Sequence, residues 1–325
     1  MTAKIIHISD GAETAIEAAK AALSKSLPVA IPTETVYGLA ADATDPVAIT
    51  RIYETKGRPR FNPLICHMAD LAMAERYAIF DPVSRRLAEH FWPGPLTLVL
   101  PLREGGGIHP LATAGLDTVG IRVPKGLASA LIHSFGRPLA APSANTSGMV
   151  SPTSALHVTE DLGEKLGLII DGDASPVGVE STIVRVEKDC IRLLRPGGVS
   201  AEALAAATAL PILRPQSPSP TIEAPGMLAS HYAPTAPVRL NARDVVPGEA
   251  IICFGDTSTL DLGQAALVLN LSPNGDLREA AANLFDYLKK ADAASVNGIA
   301  VTPIPHEGLG EAINDRLTRA AAPRT

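Results

Sequence analysis

A proline-rich segment between Pro211 and Pro237 places the strongest constraint on the fold of this chain. It contains seven prolines, with serines among them. Proline lacks a backbone N–H and fixes φ, so such a segment cannot continue a helix or a central strand. A chain of 325 residues is long enough for two domains. We therefore predict a large domain over 1–210, a linker over 211–236 and a small α/β domain over 237–325.

Short apolar runs alternate with helical patterns on both sides of this linker, which is typical of α/β folds. Before the linker, the predicted strands are 1–8, 28–32, 63–67, 96–100, 119–123, 139–142, 167–171, 181–186 and 191–194, and the predicted helices are 12–26, 47–56 and 81–90. After it, the predicted strands are 237–240, 250–254, 266–269 and 298–301, and the predicted helices are 276–290 and 310–321. Hairpin-like pairs late in the first series argue against an all-parallel order. The pattern predicts a large twisted mixed sheet followed by a small open-sheet α/β domain.

Composition narrows the class of protein. Hydrophobic residues make up 46% of the chain and charged residues 19%, as in a globular enzyme with a sizeable core. The formal net charge of -6 argues against general coating of nucleic acid, although it leaves a local basic patch open. The three cysteines lie far apart without metal-ligand spacing. We expect a cytoplasmic protein with no signal peptide, no membrane span and no disulfide framework.

The segment from Pro32 to His67 mixes residues that a core alone does not require. Lys56 and Arg58 follow a predicted helix in a turn set by glycine and proline, and together they suit a polyphosphate. The alternative is a solvated basic helix end that stabilises the helix dipole. Thr35 follows a strand, where open sheets place ligands, or else a threonine here caps the next helix. His67 ends an apolar strand and could equally be a core histidine.

An arginine in the middle of an apolar strand also requires an explanation. Arg122 lies in Val119-Gly120-Ile121-Arg122-Val123, and a buried guanidinium needs an anionic partner because unpaired burial is costly. That partner is either a structural carboxylate or the carboxylate of a substrate.

Loops after other predicted strands offer further polar groups. The segment 140–148, with 151–153 after it, presents hydroxyl, amide and backbone N–H groups that suit an anion, or it is a turn-rich surface loop. Arg195 ends a strand before a glycine turn, and we expect Asp171 and Gly172 to join the same group. The glycine-rich segment 103–107 lacks the ending of a P-loop. No zinc spacing, GxGxxG or Ser-His-Asp pattern is visible, so the site works by positioning and electrostatics.

These motifs resemble those of a known family, the YrdC-like threonylcarbamoyl-AMP synthases in their long two-domain form. The resemblance covers essentially the whole chain, and the linker motif is specific to the long form. It rests on the following segments: Pro32-Thr33-Glu34-Thr35-Val36-Tyr37-Gly38-Leu39, Lys56-Gly57-Arg58-Pro59, Asn62-Pro63-Leu64, Trp92-Pro93-Gly94-Pro95-Leu96-Thr97, Val119 to Pro124, Ala141-Pro142-Ser143-Ala144-Asn145, Glu180-Ser181-Thr182-Ile183, Leu194-Arg195-Pro196-Gly197, and Pro225-Gly226-Met227 with His231-Tyr232-Ala233-Pro234.

The resemblance implies a reaction in which L-threonine, bicarbonate and ATP give L-threonylcarbamoyl-AMP and pyrophosphate, for threonylcarbamoyladenosine formation in tRNA. Lys56 and Arg58 would be catalytic, and Mg²⁺ would accompany ATP without a dedicated protein site. The threonine-binding residues would be Thr35, His67, Arg122, Ala141 and Ser181. The ATP-binding residues would be Arg58, Asn62, Thr118, Ser143, Ser151, Arg195 and one of His231 and Tyr232.

The resemblance also implies which partners the protein has, and it leaves two alternative functions to consider. The product would pass to tRNA threonylcarbamoyl transferase proteins, with no membrane and no stable nucleic-acid partner. The linker, with His231 and Tyr232, would close over the unstable carbamate, anchored by the C-terminal domain. Two alternatives remain open: a carbamoyl-transfer enzyme, whose relatives carry extra segments that are absent here, and a non-catalytic RNA-binding module.

Overall fold

The computed structural model describes residues 2–214, 223–226 and 231–323. Within these ranges the chain forms an 11-stranded mixed sheet and a separate four-stranded parallel sheet, with helices packed against both. The predicted fold class, a large mixed α/β sheet with a smaller open-sheet unit, is confirmed. Residues 215–222 and 227–230 of the predicted linker lie outside the described residues.

The large sheet takes its strands from residues 4 to 213. In chain order they are β1 (Lys4–His7), β2 (Val29–Ile31), β3 (Gly38–Asp42), β4 (Ile65–His67), β5 (Leu96–Pro101), β6 (Thr118–Arg122), β7 (Leu139–Ala140), β8 (Leu168–Asp171), β9 (Thr182–Val186), β10 (Ile191–Arg195) and β11 (Ile212–Leu213). Their order across the sheet is β1-β8-β2-β3-β7-β4-β6-β5-β9-β10-β11. β9 and β10 are antiparallel neighbours, as the hairpin-like pattern predicts.

The helices of this part alternate with the strands. They are α1 (Ala12–Leu23), α2 (Pro46–Lys56), α3 (Leu71–Tyr77), α4 (Pro82–Phe91), α5 (Pro110–Thr113), α6 (Leu127–Phe135), α7 (Ala155–Leu162) and α8 (Ala201–Thr208). α2 shows why the helix ends are sharp. Its N-cap Asp45 accepts a hydrogen bond from Val47 N, and Gly57 ends it in the left-handed conformation with φ 59°. This ending delivers Lys56 and Arg58 to one side of the sheet.

The smaller sheet has the order β12-β15-β13-β14 and is parallel throughout. Its elements are β12 (Val238–Arg239), β13 (Glu249–Cys253), β14 (Leu267–Asn270), α9 (Leu277–Ala293), β15 (Gly298–Val301) and α10 (Leu309–Ala321). No helix within the described ranges combines the length and the apolar character that crossing a membrane requires.

The strand β3 corrects one alternative from the sequence. The sequence leaves open that a threonine near Thr35 caps the next helix, but the chain instead turns at 32–37 and returns as β3, antiparallel to β2. Thr33 Oγ1 holds this turn together, accepting from the backbone N–H groups of Thr35 and Val36 and donating to Val36 O. The threonine therefore stabilises a turn between strands.

The two faces of the large sheet have different neighbours. Along β4, Cys66 points into the main core beneath the helices, while Ile65 belongs to a separate cluster with Ala224 of the linker. Side chains two residues apart share a face of a strand, so His67 lies on the same face as Ile65. The site is built on this second face, which the linker and the C-terminal part of the chain cover.

A second core joins the two sheets. It contains Val36, Val150 and Val179 from the large-sheet part, Tyr232 from the linker, and the apolar face of α9. The predicted boundary at residue 210 stays a prediction, although β11 pairs with β10 just beyond it. The C-terminal part thus packs directly on the turn that carries Thr35.

Candidate active site

A small cavity lies over β4 and β6, between the large sheet and the linker. Its volume is about 50 Å³. It is lined by Thr35, Val36, Arg58, Leu64, Ile65, His67, Arg122, Ala141, Pro142, Ser143, Glu180, Ser181, Arg195, Pro225, Gly226, His231 and Tyr232. The structure therefore brings together most of the residues that the sequence predicts for one site. It places four of them outside the lining: Lys56, Asn62, Thr118 and Ser151.

Arg58 is a buried cation with neutral hydrogen-bond partners. Its Nη2 donates to Pro63 O at 2.9 Å and its Nε to Asn62 O at 3.3 Å. Burial lowers the pKa of Arg58 to about 10, so the guanidinium is still charged at neutral pH. Among the residues that the structure describes, no carboxylate forms an ion pair with it. A buried charge in this state is stabilised by an anionic ligand.

Arg195, at the end of β10, is a second buried cation on the cavity wall. Its Nη2 donates to Ser181 O at 2.8 Å and to Ser181 Oγ at 3.2 Å, and its Nη1 donates to Pro225 O at 3.4 Å. Burial lowers its pKa, and within the described ranges it makes no ion pair with a carboxylate. The cavity therefore presents two guanidinium groups, which favours a ligand with several negative charges.

Arg122 has a structural carboxylate partner. Its Nη2 lies 2.8 Å from Glu34 Oε2, and its Nε donates to Gly94 O at 3.2 Å. Of the two explanations that the sequence leaves open, the structural carboxylate is present. Arg122 nevertheless lines the cavity, so this ion pair also orients the guanidinium toward a ligand.

The two histidines of the site are neutral. Burial lowers the pKa of His67 to about 3, with the positive charge of Arg122 adding to the effect, and burial lowers the pKa of His231 to about 3 as well. The Nδ1 atoms of both rings are buried and have no hydrogen-bond partner among the described residues. Both rings line the cavity, so a ligand is the available partner for these nitrogens.

Lys56 lies outside the cavity lining and holds Ser143, which is part of it. Lys56 Nζ donates to Ser143 O at 2.6 Å and also to Asn145 O. The amine is completely buried, and burial lowers its pKa well below the ordinary value, with Arg58 nearby adding to the effect. In this arrangement Lys56 fixes the loop that carries Ser143.

The three other predicted residues outside the cavity lining are Asn62, Ser151 and Thr118. Asn62 is buried with its Oδ1 unpartnered among the described residues. Ser151 Oγ donates to Glu180 Oε1 at 2.5 Å. Thr118 lies at the start of β6, paired with Pro101, four residues from Arg122. Strand geometry puts about 13 Å between those two positions.

Two groups singled out in the sequence serve other parts of the fold. Asp171 accepts from Tyr37 OH at 3.3 Å and pairs with His7, away from the cavity. In the loop after β7, Asn145 Nδ2 donates to two backbone carbonyls and Thr146 donates to Asp161. These hydrogen bonds stabilise the conformation of the loop.

The sequence reasoning missed two residues that the structure brings to the site. Glu180 lines the cavity directly before Ser181, and its carboxylate accepts from Ser151 and from Arg316. Arg316, on α10, is completely buried and comes from the other sheet's part of the chain. The motif around Ser181 contains Glu180, but no local signal distinguishes Arg316 from a solvated helix arginine.

The described parts of the linker cover the cavity. Ala224 is buried against the sheet, and Glu223 forms ion pairs with Arg185 and Arg192 on β9 and β10. Gly226, at φ 85°, approaches so closely that a Cβ there would lie 2.8 Å from Arg195 Cδ. Farther on, Ala233 N donates to Gly148 O. The linker is therefore attached to the large sheet on both sides of the cavity.

The carboxylate that could bind a metal at this site already accepts hydrogen bonds from other side chains. Glu180 is the carboxylate on the cavity wall, and both of its oxygens accept hydrogen bonds. The described residues contain no group of three or more histidine, cysteine or acidic side chains placed to hold a metal ion. The residues present do not fit a dedicated Mg²⁺ site.

The fold and the cavity define a class of protein: a mixed α/β protein with a cavity, lined by buried arginines, on the face of its large sheet that a linker and a second α/β unit cover. Residues 21–197 match the Sua5, YciO and YrdC family, described as "Telomere recombination". Residues 199–322 match the family described as "Threonylcarbamoyl-AMP synthase, C-terminal domain".

Individual relatives agree with these matches. The chain is 40% identical to the threonylcarbamoyl-AMP synthase of Bacillus subtilis over 327 residues, covering 95% of this chain and 93% of that protein. It is also 40% identical to the threonylcarbamoyl-AMP synthase of Pyrococcus abyssi, covering 91% of each. The crystal structure of P. abyssi Sua5 complexed with L-threonine superposes with a TM-score of 0.87 at 38% identity, covering 99% of this chain and 98% of that one.

The chain belongs to the threonylcarbamoyl-AMP synthase family. The resemblance predicted from the motifs is thereby confirmed, as is the prediction that the protein is an enzyme of the nucleotidyltransferase type.

Proposed function

We propose that this chain converts L-threonine, bicarbonate and ATP into L-threonylcarbamoyl-AMP and pyrophosphate at the cavity described above. The observation that carries the proposal is the pair of buried guanidinium groups, Arg58 and Arg195, without carboxylate partners in the described ranges. A triphosphate supplies the negative charge that both lack. Its family relatives are named for this product.

On the nucleotide side, Arg58 and Arg195 bind phosphate oxygens and stabilise the charge that develops on them as pyrophosphate leaves. Lys56 assists by fixing the position of Ser143. Asn62 Oδ1, unpartnered in the described structure, is a hydrogen-bond acceptor for the nucleotide. Thr118 and Ser151 lie outside the cavity lining, and they are proposed to contact ATP once the site has opened to admit it.

On the amino-acid side, Arg122 binds the carboxylate of threonine, and Glu34 holds the guanidinium in place. His67 Nδ1 and the Thr35 hydroxyl supply neutral hydrogen-bonding groups beside it. Ala141 and Ser181 complete the wall. One relative is known in complex with L-threonine, which supports threonine as a substrate.

The chemistry needs two steps. Bicarbonate takes up a proton and loses water to give carbon dioxide. The neutral amine of threonine attacks the carbon of carbon dioxide, one C=O π bond opens onto oxygen, and the amine releases a proton to solvent, which gives the carbamate. A carbamate oxygen then attacks the α-phosphorus of ATP, the bond to the β-phosphate oxygen breaks, and pyrophosphate leaves. The residues described here orient both reactants and neutralise charge.

The small volume of the cavity implies that its cover moves. Sites for small molecules are typically about 300–1,000 Å³, whereas this cavity is about 50 Å³. We propose that the linker, which places Gly226 and Tyr232 over the cavity, opens to admit ATP and then closes. Closure keeps water from the carbamate.

Mg²⁺ is proposed to enter the site bound to ATP, since the described residues offer no metal site of their own. The product is proposed to pass, in the cytoplasm, to proteins that transfer the threonylcarbamoyl group to tRNA.

Pyrophosphate release, with threonine, bicarbonate and ATP omitted in turn, tests the proposal. We expect release only when all three are present, and a product with the mass of threonylcarbamoyl-AMP. Filter binding with tRNA tests the alternative of an RNA-binding module. Strong, salt-sensitive tRNA binding without pyrophosphate release would contradict the proposed reaction.

A further inference from the structure

Arg316 on α10 is a buried side chain, and two of its three hydrogen-bonding partners, Glu180 and Pro196, are adjacent to the proposed site. Its Nε donates to Glu180 Oε2 at 2.7 Å, its Nη2 donates to Pro196 O at 2.9 Å, and its Nη1 pairs with Asp315 Oδ2 at 2.6 Å. The exposed fraction of its side chain is 0%. Glu180 directly precedes Ser181, and Pro196 directly follows Arg195, and both of those neighbours line the cavity.

The flat face of the same guanidinium covers the linker tyrosine. Arg316 Cζ lies 5.0 Å from the centre of the Tyr232 ring, and Phe285 of α9 stacks on that ring at 5.6 Å. Tyr232 has φ 60°, a left-handed conformation that a tyrosine adopts only when its surroundings impose it. The C-terminal part of the chain therefore fixes the residue that covers the cavity.

Charge explains why this arrangement affects ligand binding. Burial raises the pKa of Glu180, but Arg316, Arg195 and the hydrogen bond from Ser151 together lower it by more, so the pKa lies below its ordinary value and the carboxylate is charged. Two cations thus compete for one buried carboxylate. While Arg316 forms the ion pair with Glu180, the Arg195 guanidinium stays on Ser181 and Pro225 and is available to an anion in the cavity.

We propose that Arg316 is a positioning residue: by pairing with Glu180 and packing on Tyr232, it keeps Arg195 free for the phosphates of ATP and links docking of the C-terminal unit to nucleotide binding. This inference rests on the proposed function, because it assumes that the anion in the cavity is ATP. Within the part of the chain that the structure describes, the hydrogen bonds of Arg316 and its contact with Tyr232 do not involve Arg122 or Glu34. The linkage therefore acts on ATP more than on threonine.

The test is Arg316→Met in the full-length chain, with KM for ATP and for threonine measured by pyrophosphate release. In the variant, Glu180 loses its ion-pair partner and turns to Arg195, which neutralises a phosphate-binding group. We expect KM for ATP to rise by between about 5-fold and about 150-fold, the range of typical coupling between sites. We expect KM for threonine to change less. Arg316→Lys keeps the positive charge without the planar guanidinium, so its KM for ATP should lie between those of wild type and Arg316→Met.

The double variant Glu180→Gln with Arg316→Met separates positioning from a purely structural role. Removing both charges frees Arg195 again, so KM for ATP should recover toward the wild-type value. Arg239→Met is the matched control, because Arg239 pairs with Glu249 and Asp244 within the same C-terminal unit and far from the cavity lining. It should leave both KM values unchanged.

Three outcomes would overturn the inference: an unchanged KM for ATP in Arg316→Met, equal rises for ATP and threonine, or a double variant that binds ATP no better than Arg316→Met. Thermal unfolding of each variant shows that the fold is retained at the assay temperature. If wild type itself releases no pyrophosphate, the proposed function fails. If wild type is active and Arg316→Met matches it, only this inference fails.

Discussion

Arg122 Nη2 lies 2.8 Å from Glu34 Oε2, and both side chains are buried. Glu34 Oε2 also accepts from Lys125 N at 3.0 Å, so one carboxylate ties β6 and the segment after it to the turn that carries Thr35. Burying two charges costs more desolvation energy than it returns unless the geometry is good, and removing one partner leaves the other uncompensated. Removing one member of the pair should therefore affect both the stability of the fold and the proposed threonine-binding side of the site.

Glu34→Gln should lower the free energy of unfolding by about 3 kcal/mol, because Arg122 then remains buried without a counter-charge. KM for threonine should also rise, since the guanidinium is no longer held in one orientation. Urea denaturation and steady-state kinetics measure the two effects. Glu89→Gln is the control: Glu89 pairs with Arg85 on the surface, and its loss should cost less than about 1 kcal/mol. Equal losses in the two variants would show that the buried pair has no special role.

Arg58→Met should lower the rate of pyrophosphate release by at least about 10²-fold, because it removes a cation that is proposed to stabilise the negative charge developing on the phosphates. The free energy of unfolding without ligand should change by less than about 2 kcal/mol, since the lost hydrogen bonds are offset by removal of an unpaired buried charge. ATP should no longer raise the melting temperature of the variant.

The matched control for that variant is Arg51→Met. Arg51 Nη1 also donates to backbone carbonyls, those of Lys25 and Ser26, but it lies outside the cavity lining. Full activity in Arg51→Met with none in Arg58→Met would assign the effect to the site. Near-normal turnover in Arg58→Met would refute the assignment of Arg58.

Acid should destabilise the protein partly through His67. Its pKa is about 3 in the folded protein and 6.5 in its ordinary state. Between these values the unfolded chain binds a proton that the folded protein excludes, so stability is complete above pH 6.5 and is lost as the pH falls. From about pH 7.5 to about pH 5, this histidine should cost the wild type about 2 kcal/mol of unfolding free energy.

His67→Gln should remove that dependence. The variant should lose about 2 kcal/mol less than wild type over the same pH range, measured by urea denaturation at the two pH values. His306→Gln, at an exposed position, is the control and should follow the wild-type curve. If His67→Gln shows the wild-type pH dependence, the ring is not held neutral.

The sequence predicts the fold where local signals and tertiary pairing agree. α2 and α4 follow aspartate caps and prolines at their first positions, and their periodicity shows in the sequence. β3 was not predicted, because Gly-Leu-Ala-Ala-Asp lacks the β-branched and aromatic residues that strands favour. It is a strand because β2 and β7 pair with it on either side. Such pairing is a property of the folded sheet.

For the site, the sequence predicts which residues come together. It predicts the direction of their side chains less well. Arg58, His67 and Arg195 line the cavity as expected. Lys56 does not, because its Nζ turns to the carbonyl of Ser143, and a one-dimensional pattern carries no direction for a flexible side chain. The contact of Arg316 with Glu180 joins residues 136 positions apart and depends on how the two sheets dock.

Gly178→Ala should uncouple the C-terminal unit from the site. Gly178 has φ 74°, and a Cβ there would lie 2.2 Å from Ala281 O and 2.4 Å from Ala282 Cα. Backbone atoms of α9 cannot yield without a shift of the helix. Because α9 shares a core with Val36 and with Tyr232, that shift moves the wall and the cover of the cavity. Activity should fall on the order of 10²-fold, as for a misplacement of about 1 Å, measured by pyrophosphate release.

Gly105→Ala is the control that separates this clash from backbone strain. Gly105 has φ 70°, almost the same conformation, but nothing lies within 4 Å of the position of its Cβ. Both variants carry the strain of an alanine in the left-handed region, about 1–2 kcal/mol, and only Gly178→Ala adds the contact with α9. Gly105→Ala should therefore keep wild-type turnover with a slightly lower melting temperature. Equal activity in the two variants would mean that the site does not depend on close docking of α9.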